Sequence, residues 1–430
     1  MKLSRSAGLH GTVTVPGDKS VSHRALLLGA LSEGTTHIHG FLSSADCLST
    51  LRCLSQMGVS IRREGSEVTV EGVGLRGLKA PGKPLDAGNS GTTMRLLSGI
   101  LAGQDFPVTI GGDASLSRRP MKRIMAPLAA MGCDITSQKG NDCAPLVIRG
   151  GKLHGISWKT PVASAQVKSA ILLAGLFADG PTTVTEPALS RDHTERMLSA
   201  CGVSVSQEGT SVTIQPAASL QPQDITVPGD ISSAAYFLAA GLLVPGSDIL
   251  IKNVGINPTR AGILQVAERM GADLTVESFT LAGGEPVADI RVRTSALHAT
   301  EVGGAEIPTL IDELPVIALM AACAEGTTVI RDAAELRVKE SDRIAVMAEG
   351  LSRLGARVTA TEDGFIIEGG KPLKGAVVNS HGDHRAAMTF AVAGLVAGIR
   401  ETQILDAQCV NISYPSFFDD LHALEVSKEQ

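Results

Sequence analysis

Met57-Gly58-Val59-Ser60-Ile61 is the stretch that decides the architecture, because its pattern returns along the chain. The other copies are Met131-Gly132-Cys133-Asp134-Ile135, Cys201-Gly202-Val203-Ser204-Val205, Met270-Gly271-Ala272-Asp273-Leu274 and Leu354-Gly355-Ala356-Arg357-Val358. Upstream of these glycines apolar residues fall at helical spacing, as in Met121, Ile124, Leu128 and Met131, or Ile344, Met347, Leu351 and Leu354. A glycine that stops such a helix takes the left-handed conformation, and a β-branched or leucine position after it opens a strand. Each copy therefore predicts a helix, a glycine stop and a strand.

Working outward, a second element precedes each copy: an apolar helix rich in small residues, a glycine, often Thr-Thr, then a strand. It is clearest at Ala25 to Thr36, Met94 to Gly103, Val167 to Val184, Ala234 to Gly246, Pro315 to Val329 and Ala386 to Gly398. That makes six of these helices against five glycine-stopped ones. The sixth partner is Ser416 to Leu424, which runs out before its strand. The strand-like Gly11 to Val15 is expected to help close that incomplete unit, which places both chain ends in one domain. A chain of 430 residues exceeds what a single core organises. The fold class is therefore α/β (α+β) with six repeats, three per domain. One domain is formed by residues 1–16 plus 229–430 and the other by the inserted 17–228, with crossings at Pro16-Gly17 and Pro228-Gly229.

With 43% apolar and 19% charged residues the chain can build large cores, which excludes disorder. A net charge of −6 and 3% aromatic residues supply neither a basic face for a phosphate backbone nor rings on which to stack bases, so nucleic acid is not expected as a partner. The apolar runs Val316 to Ala324 and Phe390 to Ile399 fall short of the roughly 20 residues that cross a bilayer. The N-terminus leads directly into a strand with no room for a signal peptide, so the expected location is the cytoplasm. The 7 cysteines are scattered without a CxxC, which argues against disulfides or structural zinc.

Polar residues collect at the front ends of the apolar helices. They read Gly17-Asp18-Lys19-Ser20-Val21-Ser22-His23-Arg24, Gly88-Asn89-Ser90-Gly91-Thr92-Thr93-Met94-Arg95, Ser164-Ala165-Gln166-Val167-Lys168, Gly229-Asp230-Ile231-Ser232-Ser233, Asp312-Glu313 and Gly382-Asp383-His384-Arg385. Taken singly, Ser, Asn and Asp at a helix start are ordinary N-caps. Lys19, Arg24, Arg95 and Arg385 are not explained that way, since a cation in the first turn opposes the helix dipole unless an anion offsets it. Ser117-Arg118-Arg119-Pro120-Met121-Lys122-Arg123 and Arg337-Val338-Lys339-Glu340-Ser341-Asp342-Arg343 add charge immediately before a glycine-stopped helix, the same place in two different units. Alone, either run reads as a solvated face.

Other signals lead nowhere. Gly72-Val73-Gly74-Leu75-Arg76-Gly77 matches the dinucleotide pattern but runs into a loop, and Gly17-Asp18-Lys19-Ser20 lacks the Gly-Lys-Ser of a phosphate-binding loop. His37 with His39, and His381 with His384, have no clear third ligand, so no metal and no cofactor is expected.

In these blocks the chain resembles the 3-phosphoshikimate 1-carboxyvinyltransferase (EPSP synthase) family. The matching stretches, in the family's order, are Pro16-Gly17-Asp18-Lys19-Ser20 with His23-Arg24, Gly88-Asn89-Ser90-Gly91-Thr92, Arg119-Pro120-Met121, Ser164-Ala165-Gln166, Arg337 to Arg343 and Gly382-Asp383-His384-Arg385. The resemblance implies two inside-out α/β barrels of βαβαββ units with the active site in the cleft between them, and a cytoplasmic enzyme of chorismate and aromatic amino acid biosynthesis. It implies transfer of the enolpyruvyl group of phosphoenolpyruvate to the 5-hydroxyl of shikimate 3-phosphate. Phosphoenolpyruvate is assigned to Lys19, Gly91, Arg119, Gln166, Arg343 and Arg385, and shikimate 3-phosphate to Ser20, Arg24, Ser164, Ala165, Gln166, Arg191, Asp312 and Lys339. Asp312 is given the attacking hydroxyl, and Glu340 with Lys19 the proton that goes to and from the methylene carbon. The expected partners are these two small molecules, with the protein a monomer.

Arg119 to Arg123, Arg191 to Glu195 and Asn257 to Arg260 resemble the glyphosate-tolerant subclass, whereas Gly91 leaves the room found in sensitive members. Near the C-terminus, Cys409-Val410-Asn411-Ile412-Ser413-Tyr414-Pro415 departs from members that carry a lysine there, which touches one phosphate-side contact. The alternatives are the sister transferase acting on UDP-N-acetylglucosamine, and a non-catalytic sugar-phosphate binding protein. Lys19-Ser20 in place of Lys-Asn, and no cysteine between Asp113 and Arg119, stand against the first. The presence of Asp312, Glu340 and Lys19 together stands against the second.

Overall fold

In the computed structural model, which describes residues 1–425, all five glycine stops share one geometry. Gly58, Gly132, Gly202, Gly271 and Gly355 have φ of 89°, 103°, 90°, 85° and 91°. The next amide bonds back five positions: Val59 to Leu54, Cys133 to Leu128, Val203 to Leu198, Ala272 to Ala267 and Ala356 to Leu351, at 3.0–3.2 Å. This is a Schellman cap, which satisfies carbonyls that the helix end leaves unpaired. The preceding carbonyls of Met57, Met131, Cys201, Met270 and Leu354 then accept amides from Lys79, His154, Gln221, His298 and Lys374 at 2.8–3.0 Å. The repeat thus extends into backbone bonds that no side chain announces.

The small-residue helices form at Lys19–Leu31, Gly91–Ala102, Ala165–Gly175, Ile231–Leu243, Leu314–Cys323 and His384–Val396. Each is buried on nearly every side, which explains why these segments lack a polar stripe. The glycine-stopped helices Ala45–Gln56, Lys122–Ala130, His193–Ala200, Gly262–Arg269 and Arg343–Arg353 bury one face only.

Each repeat contributes one small sheet. In the third, Ser157–Lys159 lies parallel to Thr182–Thr185, which is antiparallel to Ser211–Ile214, with Val205–Glu208 at the edge. The second and fifth repeats have the same order. In the first and fourth the parallel strand comes from elsewhere in the chain. Asp224–Thr226 lies against Glu33–His39, and His10–Thr14 against Asp248–Gly255.

The N-terminal strand plays the part expected of Gly11 to Val15 at its start, where Leu9 bridges Glu425 and the His10 amide donates to the Leu424 carbonyl at 2.8 Å, but its length pairs elsewhere. It serves the fourth repeat, while the sixth, whose C-terminal helix is Phe417–Ala423, is completed by Lys2–Leu3 running antiparallel to Thr402–Leu405. The physical reason is hydrogen-bond capacity: the strand pair Val377–Asn379 and Thr402–Leu405 would otherwise leave an edge of unpaired amides and carbonyls, and Lys2–Leu3 pairs with it.

The chain divides into two compact units. One comprises Met1–Pro16, Gly229–Thr280 and residues from Pro286 on; the other comprises Gly17–Pro228 and Leu281–Glu285. Each has its own apolar core. Both tyrosines enter the first of these cores, where Tyr236, Phe237, Tyr414 and Phe417 make edge-on and tilted contacts with centroids 5.6–5.9 Å apart. This cluster fastens the C-terminal helix, while Asn411 and Ile412 are exposed. Gly72 of the rejected dinucleotide pattern is a packing residue: a Cβ there would sit 2.2 Å from the Ser32 carbonyl oxygen.

Candidate active site

In the unit containing residues 17–228, Asp18 caps helix Lys19–Leu31 by accepting from the Val21 amide at 2.9 Å. Lys19 and Ser20 open that helix, and the Lys19 ammonium lies 2.5 Å from Asp46. Burial raises the Asp46 carboxyl, but the charge and hydrogen bond of Lys19, with Arg119 further off, outweigh it and hold the group below its usual range. Arg24 is only 4% exposed and bonds to neutral oxygens: Thr194 Oγ1 at 2.6 Å, Ser169 Oγ at 2.8 Å and the Ser20 carbonyl at 2.9 Å. Burial brings its pKa down to about 10, so it stays a cation at neutral pH.

Ser90 caps helix Gly91–Ala102, and Gly91 begins it. A Cβ at Gly91 would meet the Arg95 guanidinium at 2.6 Å, so the missing side chain is what admits that arginine. Arg95 donates to Gln166 Oε1 at 2.6 Å, and Gln166 donates to Thr92 Oγ1 at 3.0 Å. Arg119 donates to Asn89 Oδ1 at 2.7 Å and to Ser115 Oγ at 3.3 Å. Ser164 stands at the start of helix Ala165–Gly175, its amide bound to Glu186 Oε1 at 2.7 Å and its hydroxyl making no capping bond. Arg191 is half-buried just before helix His193–Ala200.

In the other unit a carboxylate sits among arginines. Asp312 lies 3.4 Å from Arg343 and 3.7 Å from both Arg260 and Arg385. Arg343, 1% exposed, also donates to Asp383 at 2.9 Å and to Glu340. Asp383 is fully buried, caps helix His384–Val396 by accepting from the Arg385 amide at 2.9 Å, and accepts from Ser341 at 3.0 Å. It therefore aims Arg343 and starts the Arg385 helix at once. Lys339 bonds to Glu335 at 2.8 Å.

Burial raises the Glu340 carboxyl, but the charge of Arg343, with Arg385 behind it, outweighs that and keeps the group ionised. The carboxyl that burial pushes upward is Glu313, next to Asp312, which accepts from Ser232. His384 falls to about 4 through burial and the charge of Arg385, so its imidazole is neutral at pH 7.

Two expectations need correction. The helices begin earlier than read, so Lys19 and Arg385 are in first turns but Arg24 and Arg95 lie a turn further in, where the dipole argument weakens and burial becomes the cost instead. Lys168, quoted with the third helix start, is a buried structural ion: it lies 3.0 Å from Glu186 and 2.8 Å from Glu195.

Of the predicted residues, Lys19, Ser20, Arg24, Gly91, Arg119, Ser164, Ala165, Gln166 and Arg191 fall in one unit, and Asp312, Lys339, Glu340, Arg343 and Arg385 in the other. Sequence reading passed over Asp46 and quoted Thr194, Arg260 and Asp383 only within motifs, without a role of their own. Asp383 stands where an ordinary cap stands and Asp46 is an ordinary first-turn acid behind the Ser44 cap, and only their tertiary partners set them apart.

Helix starts that gather buried cations within a sixfold βα repeat define a protein built to hold small anions. Residues 3–421 match the family described as EPSP synthase (3-phosphoshikimate 1-carboxyvinyltransferase). A relative named 3-phosphoshikimate 1-carboxyvinyltransferase from Bacillus thuringiensis subsp. konkukian is 55% identical over 97% of this chain and 97% of its own length. One of the same name from Shouchella clausii is 54% identical over the same shares. The solved structure of EPSP synthase from Acinetobacter baumannii superposes with a TM-score of 0.93 at 49% identity, covering 99% of this chain and 97% of that one. The chain belongs to the EPSP synthase family.

Proposed function

We propose that the protein transfers the enolpyruvyl group of phosphoenolpyruvate to the 5-hydroxyl of shikimate 3-phosphate and releases inorganic phosphate, in the cytoplasm and without a cofactor. The observation that carries this reading, beside family membership, is a carboxylate, Asp312, held among Arg260, Arg343 and Arg385, with a second ionised carboxylate, Glu340, on the same Arg343.

The hydroxyl oxygen adds to C2 of phosphoenolpyruvate, Asp312 taking its proton, while a proton is delivered to the methylene carbon. In the second half that carbon gives a proton back to Glu340 or Lys19, the double bond reforms, and the C2–O bond to phosphate breaks with the phosphate oxygen keeping the electron pair. The arginines supply fixed positive charge where phosphate departs. Glu340 is ionised without ligand, so it is poised to accept a proton. The negative charge of both substrates raises its pKa when they bind, so it takes up a proton from solvent, delivers that proton to carbon in the addition and recovers it in the elimination. Lys19 shares this proton traffic. Arg24, Ser20, Ser164, Ala165, Gln166, Arg191 and Lys339 hold shikimate 3-phosphate, and Arg119, Gly91, Gln166, Arg343 and Arg385 hold phosphoenolpyruvate.

The test is a phosphate-release assay. Release with both substrates, abolished when either is omitted and not restored by UDP-N-acetylglucosamine as acceptor, is the expected result. No release with both present overturns the reading.

A further inference from the structure

The segment Leu281–Glu285 belongs to the unit of residues 17–228, although the strands it joins, Asp273–Ala282 and Glu285–Arg293, sit in a sheet of the other unit. The turn is made by Gly283 and Gly284, with φ of 56° and 84°, the left-handed pair that a tight two-residue hairpin demands. A Cβ on Gly284 would lie 3.3 Å from the Arg196 carbonyl oxygen and one on Gly283 3.5 Å from Ile225, so the tip is seated closely.

That turn delivers Glu285. The side chain is 2% exposed and lies 2.9 Å from His193 Nδ1, itself 2% exposed. His193 is the first residue of helix His193–Ala200, and its neighbour Thr194 takes the Arg24 Nε hydrogen bond at 2.6 Å and lies 2.7 Å from Ser169 Oγ, which also accepts from Arg24. Arg24 touches only neutral oxygens directly. Burial is the main influence on its guanidinium and lowers its pKa; Glu195, Asp18 and Glu285 work against that from a distance. A buried carboxylate brought by a separate stretch of chain thus stands behind a buried cation whose own hydrogen bonds leave its charge uncommitted.

We propose that Glu285 is a positioning residue for the shikimate 3-phosphate end of the site, acting through His193 on Thr194 and Arg24. It fixes the start of the helix that carries Thr194, and it makes the affinity for that substrate depend on a hairpin of the fourth repeat. The proposal rests on the placement of shikimate 3-phosphate at Arg24 and Arg191 given above.

The experiment compares wild type with Glu285→Ala, Glu285→Gln, His193→Ala and the double alanine variant, by steady-state kinetics and by calorimetric binding of shikimate 3-phosphate. Glu285→Ala is expected to raise both KM and Kd for shikimate 3-phosphate about tenfold, with kcat at saturation and KM for phosphoenolpyruvate within about twofold. Glu285→Gln keeps an acceptor for the imidazole and is expected to recover part of the loss; it also carries the test if the alanine variant does not fold. The double variant is expected to match the single ones, because both break one link. Shikimate 3-phosphate affinity unchanged while only the melting temperature falls, a drop in kcat at constant KM, or additive single effects would each overturn the proposal. If wild type itself does not bind shikimate 3-phosphate, the functional reading beneath it fails instead.

Discussion

Arg343 and Asp312 illustrate the proposed site at the scale of single residues, because each is held in place partly by the other. Arg343 is buried and spends its donors on Asp383, Asp312 and Glu340, so its orientation is set before any ligand arrives. Replacing Asp312 by Ala, or Glu340 by Ala, is expected to lower kcat by about a hundredfold or more while KM moves by less than about tenfold, since a positioned acid or base contributes at least that factor. Stopped-assay kinetics check this, and a change confined to KM would reassign both residues to binding. Two buried imidazoles give a pH signature. His23 is pushed down to about 3, chiefly by burial, and His384 to about 4, whereas an unfolded histidine titrates near 6.5. Because the unfolded chain takes up these protons and the folded chain does not, stability is full above about pH 6.5 and declines as pH falls toward the folded values. At pH 5 the loss is ~2 kcal/mol for each group. Urea unfolding of His23→Asn at pH 7 and pH 5 is expected to show a shallower decline than wild type; an equal decline would rule His23 out as a source.

At the scale of elements the repeated cap dominates. Gly355 has φ of 91°, and a Cβ placed on it meets nothing within 4 Å, so strain is separable from packing there. Gly355→Ala is expected to cost about 1–2 kcal/mol, the penalty of holding a side chain in the left-handed region. Chemical denaturation would read this as a lower midpoint with an unchanged slope, and a midpoint equal to wild type would mean the Schellman turn relaxes without cost. Compensation of this kind also governs the helix starts. Asp18, Ser90, Asp230 and Asp383 all accept from backbone amides at the start of their helices, so the ordinary capping reading is correct for them. Capping and anion binding are not rivals, since four amides are unpaired at a helix start and one side chain satisfies only one or two.

At the scale of the whole molecule, each unit is closed by a strand distant in sequence from its partner: Asp224–Thr226 in the unit of residues 17–228, and the N-terminal strands in the other. Within the unit that holds both chain ends, residues 1–14 supply Lys2–Leu3 to one sheet and His10–Thr14 to another, and they bury Leu3, Leu9 and Val13. Burying such side chains is worth about 1.5–3 kcal/mol each, and whole domains are stable by only about 5–15 kcal/mol. A chain lacking residues 1–14 is therefore expected to lose the cooperative unfolding of that unit and to aggregate through the open sheet edges. Calorimetry together with size-exclusion chromatography checks this; an unaltered melting profile would show that the N-terminal strands are dispensable. Among the described residues no helix is long and apolar enough to cross a membrane.

The sequence by itself determined the repeat, since a glycine stop and an apolar helix are local events governed by backbone sterics and by which side chains avoid water. Gly58, Gly132, Gly202, Gly271 and Gly355 could be named as left-handed because nothing distant is needed to make them so. It also carried the motifs through which the family shows. The tertiary structure alone decided which sheet received the N-terminal strand, because strand pairing joins residues hundreds of positions apart and any edge with free amides and carbonyls competes for it. It alone separated Lys168, a buried ion between two carboxylates, from Arg24, a buried cation whose hydrogen bonds go to neutral oxygens, since charge cost depends on the carboxylates that folding brings within a few ångströms. For the same reason Asp46, Asp383 and Glu285 read as ordinary acids until their partners are seen.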